Sequence, residues 1–330
     1  MIERPVLFVH IPKTAGTSVR TLVGRAGAGR TVDMPLRAGE RARVAARIGA
    51  ADVVMGHVGY GLRASFPTPP FVFTFLRDPI DRSLSNFSFL QQRRPAPGVA
   101  EDESDFAAAE GKSLAAFLRD EPAAASRHLG NLHVWFLTRD GIDARGDLRG
   151  LGRDDLSAAT GNLEKCDVVG LAERMTESLL LLFLGLGLSP EALRPVPFEN
   201  VLRSRIRRED VDPETMGLLE SGCALDLELY RFGRELFRKR FARELPRVAA
   251  WLEGGPEGAG EGEGVCGVLD LVRDEARARF DSESEAREEE IRSLNARIAR
   301  QDAALESVRA SAGWRLIESL RGVAGRRWNI

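Results

Sequence analysis

The segment His10-Ile11-Pro12-Lys13-Thr14-Ala15-Gly16-Thr17-Ser18 follows directly on the apolar run Pro5 to Val9. It combines a strand end, a small-residue turn and a helix start, which points to a sheet with helices packed beside it. Such a turn is a phosphate cradle. Backbone N–H groups at a helix N-terminus lack intrahelical partners and carry the positive end of the helix dipole, so they bind an anion. Gly16 lets the backbone approach closely. Lys13 adds a point charge, and the hydroxyls of Thr14, Thr17 and Ser18 add donors. The lysine comes first, whereas in a nucleotide triphosphatase loop it follows a G-x-x-x-x-G spacer.

Phe71 to Leu76 reads as a buried parallel strand and leads into Arg77-Asp78-Pro79-Ile80-Asp81-Arg82-Ser83-Leu84-Ser85. Asp78 suits an N-cap and Pro79 the first helical position, so the spacing predicts a helix over Pro79–Gln92. Arg77 then sits at the carboxyl edge of the sheet, where a guanidinium can grip a phosphate with two hydrogen bonds. Ser85 lies two turns on, and Arg82 reads as a local salt-bridge partner. Between the two motifs, Asp52-Val53-Val54-Met55-Gly56-His57-Val58-Gly59-Tyr60 is a further apolar run that places His57 at a strand edge. His10 either lines a nucleotide pocket or hydrogen-bonds the turn; His128 and His133 carry no signature and read as structural.

H-I-P-K-T-A-G-T-S resembles the 5′-phosphosulfate loop of the sulfotransferases that use 3′-phosphoadenosine 5′-phosphosulfate (PAPS), in particular the carbohydrate 2-O-sulfotransferase branch. R-D-P-x-x-R-x-x-S resembles the pattern with which that family binds the donor's 3′-phosphate. G-H-V-x-Y is similar to the part that carries its catalytic base, and Val169-Gly170-Leu171-Ala172-Glu173 before a Leu-rich helix also resembles the family. The likeness covers about residues 5 to 245. It implies an α/β, P-loop-like parallel sheet flanked by helices, and transfer of a sulfuryl group to a sugar hydroxyl of a glycan or glycolipid. It implies His57 as general base, Lys13 neutralising the leaving phosphate, and a donor set of Lys13, Thr14, Ala15, Gly16, Thr17, Ser18, Arg77 and Ser85. PAPS would be the co-substrate and no metal is required. Two other functions compete: a P-loop-type small-molecule kinase, against which the absent Walker spacing counts, and a non-catalytic glycan- or nucleotide-binding module.

With 330 residues, 43% hydrophobic, the chain can build one large α/β domain and further elements. A net charge of −2 leaves no global field to attract nucleic acid. Cys166, Cys223 and Cys266 are widely spaced, without C-x-x-C or Cys/His pairing, which argues against a disulfide framework or structural zinc. The longest apolar run, Leu179 to Leu188, falls short of the ~20 residues that span a bilayer. Strand 1 follows the N-terminus directly. The expectation is a soluble, cytoplasmic, bacterial form of a family whose animal members carry a membrane anchor.

Strands are predicted over Val6–Val9, Val53–Met55, Phe71–Leu76 and Asp167–Leu171. Predicted helices cover Thr17–Gly24, Pro79–Gln92, Ser113–Arg119 and Thr176–Leu186, and Asp212 to about Arg243 reads as largely helical. Ala158 to Lys165 leads into the strand at Asp167. Arg93 to Lys112 reads as a loop. Arg203, Arg205, Arg207 and Arg208 form a basic cluster that is either a solvated loop or a binder of donor or acceptor. A sulfotransferase domain over 1–250 is expected, then a Gly/Glu-rich linker over 251–270. Over 271–312, Ile291, Leu294, Ile298, Leu305, Val308 and Ala312 give either a coiled coil, a route to homo-oligomers, or one amphipathic helix. The basic aromatic tail, 313–330, suggests contact with a protein or with the inner membrane face.

Overall fold

The computed structural model describes residues 4–27, 29–33, 47–49, 52–92, 100–139, 148–189, 193 and 206–253. Among them β1 (Val6–Val9), β2 (Arg30–Asp33), β3 (Asp52–Met55), β4 (Phe71–Leu76) and β5 (Val168–Leu171) form one parallel sheet in the order β2-β3-β1-β4-β5. Every residue of β1, β3, β4 and β5 is buried. A parallel sheet covered on both faces has no polar side, which is why these strands read as unbroken apolar runs. β2 is the opposite. Its R-T-V-D sequence is largely exposed at the sheet edge and is held by pairing with β3, with Arg30 forked onto Asp52 at 2.9 and 2.7 Å. Nothing in that polar sequence predicts a strand.

The helices are α1 (Gly16–Arg25), α2 (Pro79–Gln92), α3 (Ala100–Ala109), α4 (Leu114–Asp120), α5 (Pro122–Leu129), α6 (Leu132–Thr138), α7 (Arg153–Lys165), α8 (Met175–Leu186), α9 (Pro213–Gly222) and α10 (Ala224–Glu253). Local chemistry starts several of them. Asp78 accepts from the N–H groups of Ile80 and Asp81 at 3.0 and 3.1 Å and so caps α2, while Ser113 caps α4 and Asp212 caps α9.

α3 corrects the loop expected over Arg93–Lys112. The helix-breaking Pro95, Pro97, Gly98 and Gly111 fall outside Ala100–Ala109, which is Ala- and acid-rich and so favours helix. α7 starts at Arg153, ahead of Ala158, and α10 runs to Glu253, into the segment read as linker. Residues 93–99, Arg203, Arg205, Cys266, the Gly/Glu stretch from 254, the heptad segment and the basic tail lie outside the described residues.

Arg82 is not a surface salt-bridge partner: it is fully buried. Its guanidinium donates to the carbonyls of His128, Leu129 and Gly130 at 3.1, 3.0 and 2.9 Å. Those are the orphan acceptors at the C-terminus of α5, the negative end of that helix. Ser83 and Asn86 add bonds to Leu129 O and His128 O. Burial pulls the Arg82 pKa down, and the Asp226 carboxylate opposes that shift. Asp226, also fully buried, accepts from His133 N and Val134 N, both at 2.9 Å, in the first turn of α6. Asn131 returns the favour by accepting from Asp226 N at 3.0 Å, near the start of α10. Arg82→Met, which keeps the bulk but removes the donors and the charge beside Asp226, is expected to cost at least about 3 kcal/mol in urea unfolding. A loss under about 1 kcal/mol would show that the clamp does not hold these helices.

A second buried carboxylate ties α3 to α5. Asp105 accepts from Arg127 through both Nε and Nη2 and faces His128 Nε2 at 2.8 Å. Burial alone would raise its pKa, but the hydrogen bonds from His128 and Arg127 outweigh burial and hold the carboxyl well below the ordinary range. An unfolded Asp takes its proton near pH ~3.9, so this cluster stabilises the fold above about pH 4 and loses that contribution as pH falls. Thermal midpoints of wild type and Asp105→Asn should therefore converge on going from about pH 6 to about pH 3, and a gap independent of pH would contradict the assignment.

Candidate active site

Strand order brings the motifs together. β1 lies between β3 and β4, so the turn after β1 is flanked by the segment carrying His57 and by the end of β4 carrying Arg77. All three strands are parallel and open at the same carboxyl edge, the place where α/β sheets bind ligands.

Lys13 and Ala15 both have left-handed backbones, with φ of 69° and 67°, on either side of Thr14. A non-glycine residue in that region costs roughly 1–2 kcal/mol, and such strain survives where the surroundings over-determine it. Here the Thr14 hydroxyl, fully buried, donates to Ile11 O at 2.8 Å, and Arg77 Nη1 donates to Lys13 O at 3.1 Å. A turn that alternates in hand points successive N–H groups into one concavity, an anion nest. α1 then begins with Ala15 as N-cap and no capping side chain, so its first N–H groups face the same end. Because the Thr14 hydroxyl is committed to Ile11, Thr14 offers an anion its main chain. Thr17 is exposed and Ser18 half-buried.

Lys13 Nζ rests over the Phe89 ring, 4.8 Å from its centroid. Phe89 is one helical turn beyond Ser85 on α2, so the two share the face that Lys13 reaches. Arg77 thus ties the turn to the end of β4, and Lys13 reaches α2, the helix that carries the buried Ser85.

His57 is the centre of a three-residue turn closed by Val58 N donating to Gly56 O at 2.8 Å. The following Gly59 lets this segment dock on the end of α6, where a Cβ would stand 2.1 Å from Arg139 O. The His57 ring stacks on His10 with centroids 4.6 Å apart, and its Nδ1 lies 3.4 Å from His10 O. His10 thus packs against the turn and the His57 ring. Burial first, then the charges of His57 and Arg20, push the His10 pKa well below its ordinary value.

Glu173, in the sequence only one member of the V-G-L-A-E likeness, braces the site. Its carboxylate accepts from Asp78 N at 2.7 Å and bonds Tyr230, whose phenol is pushed up by burial and by that carboxylate. Arg208 is 3.7 Å from Asp78, which brings one member of the arginine cluster to the β4 edge, while Arg207 pairs loosely with Glu209 at 3.6 Å. The exposed polar loop sequence around Arg208 holds no signal for this contact. His128 and His133 stand away from the edge, against Asp105 and Asp226.

Among the described residues no group of three or more His, Cys, Asp or Glu side chains could hold a metal ion, and no helix is long and apolar enough to cross a membrane. No protein-family model matches the chain, and no curated protein matches it significantly.

Gly16 has a strict steric reason. A Cβ built there would fall 1.7 Å from His10 Nε2. Gly16→Ala must displace the His10 ring, so a loss of about 1–3 kcal/mol is expected in thermal or urea unfolding. An unchanged unfolding midpoint would mean that His10 moves freely and does not pack on the turn.

Proposed function

We propose that the chain is a sulfotransferase, moving a sulfuryl group from PAPS to a sugar hydroxyl of a glycan or glycolipid. One observation carries the reading: Arg77 donates to the carbonyl of Lys13, which makes the guanidinium for a second phosphate and the lysine of the anion nest one unit at the sheet edge. PAPS has anions at both its 5′ and 3′ positions, and these two groups supply a partner for each. The nest of residues 13–18 would hold the 5′-phosphosulfate, and Arg77 with Ser85 the 3′-phosphate.

In the reaction the acceptor oxygen attacks sulfur in line while the bond from sulfur to the bridging phosphate oxygen breaks. Adenosine 3′,5′-bisphosphate leaves, its new charge met by the Lys13 ammonium and the nest N–H groups. The acceptor proton passes to the His57 imidazole. The work asked of the protein is positioning and charge stabilisation. The basic tail would bring the enzyme to a glycolipid at the inner membrane face.

A thermal-shift comparison separates this reading from a kinase and from a binding module. Adenosine 3′,5′-bisphosphate should stabilise the protein more than ATP with magnesium does, and Arg77→Ala should weaken that ligand far more than adenosine 5′-phosphate, which lacks the 3′ group. Equal losses would remove Arg77 from the 3′ site, and preference for ATP with magnesium would favour the kinase. Labelled-donor transfer onto fractionated cell-envelope glycans completes the test. There His57→Ala should lower turnover by at least about a hundredfold with donor affinity little changed.

A further inference from the structure

α10 carries charge out of proportion to the chain. Between Arg231 and Arg247 it holds seven cations and two carboxylates, a net charge of +5, whereas the whole chain has a net charge of −2. At 1.5 Å per residue these positions extend over roughly 24 Å, more than twice the ~8–10 Å over which salt screens a charge. The opposite face holds the helix in place. Leu229, Tyr230, Phe237 and Val248 are buried, Arg240 donates to the carbonyls of Cys166 and Glu164 at 2.7 and 2.6 Å, and Trp251 Nε1 donates to Leu188 O at 3.2 Å. The outer face is therefore a rigid row of cations, set before any partner arrives.

The ion pairs of that row leave it under-neutralised. Glu235 is shared between Arg238 and Lys239, at 2.8 and 3.7 Å, and Glu244 between Arg243 and Arg247, at 3.0 and 2.6 Å. Two carboxylates thus serve four cations, whose side chains stay 66–73% exposed. A single small anion cannot use charges spread over such a length, whereas an extended anionic surface can. Leu245 decides between a surface and a soluble polymer. It is 49% exposed, more than any other large hydrophobic among the described residues. Arg231, Arg238 and Leu245 recur at seven-residue intervals, about two helical turns, and so lie along one stripe. An apolar side chain there stays in water beside a polymer, but enters the acyl boundary of a bilayer while the arginines around it reach the headgroups. We propose that the exposed face of α10 is a docking surface for an anionic phospholipid bilayer, with Arg238, Lys239, Arg243 and Arg247 on the headgroups and Leu245 inserted between them. The surface is independent of the sulfotransferase reading and of the basic tail, which lies outside the described residues.

The experiment is co-sedimentation of the full chain with vesicles of phosphatidylcholine alone and of phosphatidylcholine mixed with phosphatidylglycerol. Wild type should bind the anionic vesicles at least about a hundredfold more tightly than the neutral ones, and high salt should release it. Each basic residue near such a surface contributes roughly fivefold, so replacing Arg238, Lys239, Arg243 and Arg247 together by Gln should weaken binding by at least about thirtyfold. The tail is unchanged in that variant, and whatever it contributes is common to both proteins. Arg25, Arg63, Arg119 and Arg153, exposed on other elements, provide the control: replacing all four by Gln removes the same charge and should change binding by less than about threefold. Leu245→Gln should weaken vesicle binding by about threefold or more and leave binding to dextran sulfate, a soluble anionic polymer, unchanged. Should the fourfold α10 variant fail to fold, Arg238→Gln with Lys239→Gln, and Arg243→Gln with Arg247→Gln, read the two groups separately, each with a loss of about fivefold or more. Vesicle binding unaffected by the α10 substitutions, an equal loss in the control, wild-type vesicle binding by Leu245→Gln, or binding to dextran sulfate without binding to vesicles overturns the proposal.

Discussion

Only Gly130 and Asn131 separate the end of α5 from the start of α6, so the negative end of one helix dipole and the positive end of the next lie side by side in the interior. Each end leaves backbone groups that must be satisfied without water. Arg82 satisfies the first and Asp226 the second. A buried charge on either side alone would be costly, but here each sits at the helix end of opposite sign and within reach of the other's field. The arrangement also decides where the site is. Arg82 belongs to α2, the helix that starts directly behind Arg77 and carries Ser85, and Asp226 belongs to α10, the helix that carries Tyr230 and so steadies Glu173. Fixing α2 against α5 therefore fixes the β4 edge from which Arg77 reaches the loop.

The loop in turn is a strained element held from three sides. Two left-handed non-glycine residues persist because Thr14 is locked to Ile11, Lys13 O is engaged by Arg77, and Gly16 lies against the His10 ring. Strain of this kind has a plain use at an anion site: the N–H groups are already aimed before the ligand arrives, and little reorganisation is needed when charge develops. Packing pins the turn at one end through the His10 ring, stacked between Phe8 and His57, and at the other through α1.

Legibility in the sequence followed the range of the interactions involved. β4 and α2 could be delimited because their signals are local: an apolar run, a capping Asp78 and a Pro79 that suits the first turn. β2 could not, since its pairing with β3 is tertiary and its residues are polar. R-D-P-x-x-R contains two arginines in nearly the same surroundings by sequence. Which one is buried depends on the α5 terminus, 46 to 48 residues further along the chain. The strand-edge positions of Lys13, His57 and Arg77 were readable one at a time, but their convergence was not, because it comes from β1 lying between β3 and β4. The spacing of Phe8 and His10 was likewise visible, whereas Phe73 and Gly16, which pack against those two rings, arrive from other elements. Their roles as a set rest on the family likeness and on chemistry.

On the proposed reading, the donor's charge is divided in a way that suits this corner of the sheet. The transferred sulfuryl group carries little charge to neutralise, while the 3′-phosphate is the most highly charged part of the nucleotide and is remote from the reacting atoms. Grip on a remote group can be used to orient the reacting one, and it assists the chemical step only if it is transmitted. Arg77 provides a path: the guanidinium that would hold the 3′-phosphate is also bonded to the carbonyl of Lys13, whose side chain would meet the leaving oxygen. In the structure that side chain rests on the Phe89 ring, with Nζ 4.8 Å from its centroid. The Lys13 backbone, fixed in a left-handed conformation by Arg77, confines where the ammonium can go.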